Sequence, residues 1–377
     1  MLGSRESLRV LVTDAAQRVA LEVTRCLGRA EHSVLAVESR KPRRVPTFAS
    51  RYCNESARPE EGEPMVEFLL RRAEGVDVLI PIMTNSVLQV ADHLDEFRSR
   101  CRVLVPRSDV VRQVIGKASI VAAGELVGVP VPKTVRPETA ADLDKAAGEV
   151  GLPAIVKLAD DEDLYLAPKD RYGLARSPEE LHSVWTRLAS IKPRPVIQER
   201  IVGPGIGFSA VLGGDSELLG AVAHQRLREY PILGGPSTCC VSIDDPVLTE
   251  QSLELLRSVG WIGPAMVEYK RDERDGSYRL LEINARFWGS MPLARLSGLN
   301  LPAALVENAC HGTVPPQKRA KAGVKMRILP KDVLAGGSYL AHGRGREFAG
   351  FVRDLFDPRV KPGLFDPTDP KPAFLFI

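Results

Sequence analysis

Several features that announce common functions are missing from this chain of 377 residues. The six cysteines (Cys26, Cys53, Cys101, Cys239, Cys240, Cys310) show no CxxC spacing and no accompanying histidine cluster, which argues against a zinc site. Cys239 and Cys240 are adjacent, point to opposite faces of an extended strand and cannot easily chelate one ion. No apolar run approaches the ~20 residues of a membrane span. The N-terminus MLGSRESLRVLVTDAAQ lacks the apolar core and small-residue cleavage site of a signal peptide, so a cytoplasmic protein without membrane association is expected. Aromatics make up 6% of the residues, the formal net charge is +3, and no basic block carries interleaved aromatics; nucleic acid is therefore a poor partner and a small molecule a better one. The first strand-to-helix turn, TDAAQRVA, has none of the glycines that let a pyrophosphate approach the backbone, which disfavours a dinucleotide.

What is present is the composition of a globular protein, 44% hydrophobic and 26% charged, in a chain long enough for two or three domains. The first third alternates short apolar strands (LRVLVTDA, HSVLAVES, VDVLIPIM, RVLVP) with amphipathic helices (QRVALEVTRCLGRA, MVEFLLRRAEG, NSVLQVADHLDEFRS). That pattern predicts an open parallel α/β domain. A small α/β unit follows, with strands PAIVKLA and PVIQERI and helices in ETAADLDKAAGEVG and SPEELHSVWTRLAS. From Ile206 the pattern turns antiparallel: GIGFSAVLG, SELLGAVAHQRL, STCCVSI, a helix in DPVLTEQSLELLRSVG, then AMVEYKRD and SYRLLEINAR joined around Asp275 and Gly276. The last sixty or so residues, rich in proline and glycine, predict only short helical pieces.

The stretch LLEINARFWGS carries the most chemistry. In an extended chain Glu282, Asn284 and Arg286 project from one face, while Leu281, Ile283 and Ala285 point the other way. Glu268 in AMVEYK can share that face across the hairpin. Two carboxylates and an amide oxygen form an all-oxygen set suited to a hard cation such as Mg²⁺, and Arg286 is spaced to meet anionic oxygen bidentately. A solvated edge hairpin could show the same row; the surrounding segments decide.

AMVEYK, a short hairpin and LLEINARFWGS together resemble the magnesium-binding signature of the ATP-grasp superfamily, in its carboxylate-amine ligase type with a core like those of biotin carboxylase and carbamoyl phosphate synthase. Further segments are similar in the family's order: GKASIVAAGELVGVPVPKT with Lys117, LPAIVKLA with Lys157, the hinge strand VIQERIVGPGIG, and HQRLREYP, which resembles a segment of biotin carboxylase. The resemblance implies α/β and α+β architecture. It comprises an open parallel pre-ATP-grasp domain over 1–115, an ATP-grasp domain over 116–313 with a small lid subdomain about 134–200 and an antiparallel core sheet, and a tail over 314–377 packed on the core.

It also implies roles. Glu268, Glu282 and Asn284 would hold Mg²⁺, or Mn²⁺ in its place, against ATP; Lys117 and Lys157 would meet the α- and β-phosphates; Gln198, Glu199, Arg200 and Ile201 would line the adenine slot. Arg226 and Arg286 would lie around the γ-phosphate and the reacting carboxylate, where charge develops. Substrate contacts are looser: Thr84 and Asn85, at a helix start that favours anions or is simply capped by them, His224, as readily a packed side chain as a contact, and Arg228, which a charged strand face explains equally well. Phe287 and Trp288 would support the wall by packing.

Two departures stand out. The loop LADDEDLYLAPKDRYG has one glycine at its end where many relatives have a glycine-rich lid, so phosphate cover would fall to Lys169 or Arg171, and the acidic tip from Asp160 to Asp163 reads as solvated. The hinge GPGIGFS lacks an acidic residue for ribose. The activity implied is ADP-forming ligation of a carboxylate to an amine, an amino acid by expectation, through an acylphosphate to an amide or peptide bond. A carboxylase-type reaction and a non-catalytic nucleotide-binding role stay as alternatives, and a homodimer is compatible with such folds.

Overall fold

The computed structural model describes residues 7–159, 166, 168–232 and 234–376; of 117–119 and 168–169 only the backbone is described. The chain divides into two compact units: 1–112, 207–266 and 284–377 form the first, and 113–206 with 267–283 the second.

The first unit opens with a parallel sheet. Strands β1 (Arg9–Val12), β2 (Ser33–Val37), β3 (Glu55–Ala57) and β4 (Val78–Ile80) lie in the order β3-β2-β1-β4. Val10 is in register with Val34 on one side and Val78 on the other. Val10, Leu11 and Val12 are fully buried, which is why these strands read as continuous apolar runs: helices cover both faces. Helix α1 (Arg18–Arg29) follows β1 and buries Ala20, Val23 and Leu27, spaced three and four apart, in the core that also holds Val12 and Ile80. Helices α2 (Met65–Ala73) and α3 (Thr84–Asp92) flank β4 in sequence.

Two expectations change here. RVLVP is not a full strand: Arg102 makes only an isolated parallel bridge to Val78. The carbonyl of Leu104 instead faces Gly263, where a Cβ would lie 2.3 Å from that oxygen, and Gly263 has φ +81. Conversely β3 was invisible in the sequence, because NESA carries polar, largely exposed side chains at a sheet edge.

In the second unit β5 (Thr134–Val135), β6 (Ala154–Lys157), β7 (Tyr172–Ala175) and β8 (Val196–Glu199) form an antiparallel sheet in the order β5-β8-β6-β7. Its core gathers Ala154, Val156 and Ile197 with Leu143, Leu181 and Leu188 from the helices Leu143–Val150 and Pro178–Ala189. The acidic stretch from Asp160 to Asp163 lies outside the described residues.

The third sheet has the order β13-β12-β9-β10-β11-β14-β15, with β9 (Gly205–Leu212), β10 (Leu218–Glu229), β11 (Ser237–Ile243), β12 (Gly263–Arg271), β13 (Tyr278–Asn284), β14 (Lys325–Arg327) and β15 (Lys361–Pro362). Cys239 and Cys240 are both fully buried in β11.

The C-terminal part is more regular than the sequence suggested. Helices Leu329–Ala341 and Gly345–Phe356 form a packed pair, not short pieces. Of the two adjacent glycines that discouraged a helix, Gly336 serves the packing: a Cβ there would lie 2.6 Å from Phe351 Cδ1, so its absence lets the second helix approach.

Beyond the pair, the chain returns to the first sheet. Arg25 on α1, 2% exposed, donates from Nε to Asp369 Oδ2 (2.9 Å), from Nη1 to the Leu364 carbonyl (2.8 Å) and from Nη2 to the Asp369 carbonyl (2.7 Å). Ser50 Oγ and the Arg51 amide donate to the same carboxylate at 2.7 and 2.9 Å.

Candidate functional site

Within the second unit, β12 and β13 are neighbouring strands of one sheet, and each carries a half-buried carboxylate. On β13, Leu280 and Ile283 are buried while Glu282 is half-buried; on the neighbouring β12, Val267 and Tyr269 are buried and Glu268 is half-buried between them. Two carboxylates thus stand on adjacent strands, and Asn284 follows Glu282 by two residues. The donors are all oxygen, which fits Mg²⁺ better than a softer ion. Among the described residues no group of three or more His, Cys, Asp or Glu is gathered for a metal, so protein carboxylates would supply a minority of an octahedron, as that ion ordinarily accepts.

In the same unit Lys157 ends β6 opposite Val196, and its Nζ donates to Gln198 Oε1 at 2.9 Å. Gln198 Nε2 in turn donates to Thr134 Oγ1 at 2.9 Å, so three strands fix the lysine's direction. Glu199 accepts from the Lys133 amide (3.2 Å) and pairs with Arg274 (2.7 Å). Ile201 is buried and Arg200 exposed. Lys117 opens the helix Lys117–Leu126, and its side chain, like that of Lys169, lies outside what is described.

In the first unit Arg286 meets one of the proposed substrate contacts. Its Nε donates to Thr84 Oγ1 (3.3 Å), Nη1 to the Phe287 carbonyl (3.0 Å) and Nη2 to Asn284 Oδ1 (3.1 Å). Thr84 is the buried first residue of α3, and Asn85 beside it is exposed. Phe287 and Trp288 are fully buried, with ring centroids 5.8 Å apart, and belong to the hydrophobic core.

The sequence reading overlooked Asp14, which builds this corner. Asp14 is 5% exposed with φ +55, a left-handed conformation rare outside glycine. Its Oδ2 accepts from Thr13 Oγ1 (2.6 Å), the Met83 amide (3.1 Å) and Ser86 Oγ (2.7 Å), while Thr13 Oγ1 accepts from the Ile82 amide (3.0 Å). The turn that presents Thr84 is therefore fixed from β1. In the order β3-β2-β1-β4 the direction in which parallel strands are added reverses between β1 and β4, the crevice where open α/β sheets bind ligands. An acidic residue directly after an apolar strand was the available signal.

His224 and Arg228 occupy different surroundings. His224 is 1% exposed and lies against Gly207, where a Cβ would come within 2.3 Å of its Cε1. Burial, helped by the Arg226 charge, pushes its pKa down to about 3, so the imidazole is neutral. Arg226 is half-buried on β10 opposite Cys240. The Arg228 guanidinium is engaged on all sides: Nε and Nη2 donate to Asp332 at 2.8 and 2.9 Å, Nη1 to Asp354 at 2.8 Å, and it lies 5.8 Å from the Phe351 ring centre. Burial acts against its charge, but the bonds to Asp332 and Asp354 outweigh it and hold the proton more tightly than usual.

Part of the chain is similar to the ATP-grasp family, and its mixed parallel and antiparallel sheets are those of solved structures on which it superposes. Residues 211–331 match the family model described as ATP-grasp in the biosynthetic pathway with Ter operon. The large chain of carbamoyl phosphate synthase from Hyperthermus butylicus is 26% identical over 198 residues, covering 50% of this chain and 18% of that one. The arginine-specific mitochondrial large chain of Schizosaccharomyces pombe is 21% identical over 259 residues, 66% of this chain and 22% of that one. The alignment thus spans about a fifth of the length of these relatives. Among solved structures, N5-carboxyaminoimidazole synthetase from Staphylococcus aureus with ADP superposes with a TM-score of 0.67 at 12% identity, covering 91% of this chain and 86% of that one. The biotin carboxylase domain of 2-oxoglutarate carboxylase from Hydrogenobacter thermophilus, with MgADP, ADP and bicarbonate, gives 0.67 at 14% identity, covering 85% and 74%. Among the described residues no helix is long and apolar enough to cross a membrane.

Proposed function

We propose that this protein is an ATP-dependent, ADP-forming ligase that joins a small carboxylate to an amine, with an amino acid as the expected amine, through an acylphosphate. The observation that carries the reading is the half-buried carboxylate pair Glu268 and Glu282 on adjacent strands, continued along the chain by Asn284 and by an Arg286 bonded to Thr84. Glu268, Glu282 and Asn284 would hold Mg²⁺, with Mn²⁺ as a substitute, and the bound ion supplies positive charge opposite phosphate oxygens.

The protein's own groups do the rest. Lys157, steadied by Gln198, offers an ammonium to nucleotide phosphate, as Lys117 would from the start of its helix; the hinge from Gln198 through Glu199 and Arg200 to Ile201 holds the base. Arg286 presents a guanidinium whose partners are neutral oxygens, leaving its charge for a carboxylate, and Thr84 and Asn85 lie beside that position. Arg226 would stabilise charge on the transferred phosphoryl group. Activation is needed because an amine does not attack a carboxylate anion directly.

The test is ADP release from MgATP with pooled carboxylates and amino acids. Glu282→Gln is expected to retain the fold and lose turnover by roughly 100-fold or more, in the range of a lost electrostatic contribution to catalysis; retained activity would remove the metal assignment. ADP release that needs bicarbonate and no organic acid would move the reading to a carboxylase, and MgATP binding without ADP release under any pairing would move it to a non-catalytic nucleotide-binding role.

A further inference from the structure

A cleft of about 550 Å³ opens in the first unit where the chain leaves β1 and β2. Gln17 and Pro46 lie in it, Leu375 and Phe376 wall one side, and Arg40 and Arg44 stand on the rim with Lys41. Its volume is that of a small-molecule site, and it lies beyond the carboxyl ends of the parallel strands β1 and β2.

The charge around it is unbalanced. No acidic side chain lines the cleft. Glu38, fully buried behind it, is committed to the Ala16 amide (2.8 Å) and to Arg40 (3.0 Å); Lys41 has only a loose, exposed contact with Glu61 at 3.8 Å. Among the described residues Arg44 makes no hydrogen bond or ion pair. Arg44 and Lys41 thus leave positive charge at the edge of the recess, which suits an oxyanion with several acceptor oxygens, and guanidinium matches phosphate in shape.

We propose that this cleft binds the phosphate group of a small anionic ligand, with Arg44 and Lys41 as its principal charges and Phe376 and Leu375 against the ligand's apolar part. The inference does not rest on the ligase reading, because it concerns an anion bound without nucleotide or metal.

The experiment is calorimetric titration of the full chain with inorganic phosphate and with pyrophosphate, at low salt and without Mg²⁺. One saturable site is expected. Arg44→Glu and Lys41→Gln should each weaken it roughly tenfold or more, while Lys157→Ala, in the proposed nucleotide site, should change it by less than about twofold. Arg44 is exposed, so its replacement leaves the core untouched, and circular dichroism checks the fold of each variant. Absence of saturation at millimolar phosphate and pyrophosphate, or binding lost with Lys157→Ala and kept with Arg44→Glu, would overturn the proposal.

Discussion

His224 illustrates how a single side chain sets a pH limit. Its ordinary pKa of 6.5 falls to about 3 in the fold, through burial first and the Arg226 charge second, so the unfolded chain takes up a proton that the folded one refuses. The associated stability is complete above about pH 6.5 and is lost at about 1.4 kcal/mol per pH unit as the pH falls toward 3. Urea titrations between pH 7 and 4 should therefore show a shallower decline for His224→Asn than for wild type. Arg228 gives a second test: Arg228→Met leaves Asp332 and Asp354 buried without their cation and is expected to lower unfolding free energy by about 3–5 kcal/mol, measured by denaturant unfolding. Both residues look like site candidates in HQRLREYP because alternation puts them on the face of Arg226. What separates them is burial against Gly207 and two aspartates about a hundred residues later, and no local pattern carries that information.

Elements were legible where a period was strong. The β12 and β13 hairpin follows from apolar alternation on both sides of Asp275 and Gly276, and α1 from its three-and-four spacing. RVLVP has the alternation of a strand, with Val103 and Val105 buried, but its backbone pairs only at Arg102. The helix pair at the C-terminal end was hidden because two glycines in LAGGSYLA lower helix propensity, a local penalty that packing overrides. The glycines differ in kind. Gly336→Ala places a methyl against Phe351 and should destabilise the pair by about 1–3 kcal/mol. Gly337 has nothing within 4 Å of its would-be Cβ, so Gly337→Ala should stabilise by up to about 1 kcal/mol. Thermal unfolding of the two variants, with hydrogen exchange in residues 329–356, checks the opposite signs.

For the molecule as a whole, the mixed α/β and α+β class was readable from the order of periodic segments and the metal candidates from residue type and spacing, while the phosphate candidates came from the family resemblance. The Asp14 corner and the bonds of Arg25 to the returning chain were not, because each joins residues far apart in sequence. Asp369→Ala strips the carboxylate from Arg25, Ser50 and the Arg51 amide together, and a loss of about 3–5 kcal/mol is expected in denaturant unfolding, with faster exchange of α1 amides. The same contact bears on the order of events during synthesis. Asp369 is made 344 residues after Arg25, so α1 carries a guanidinium lacking its counter-charge until that segment has emerged from the ribosome. Nascent chains halted before Asp369 should keep α1 open to protease.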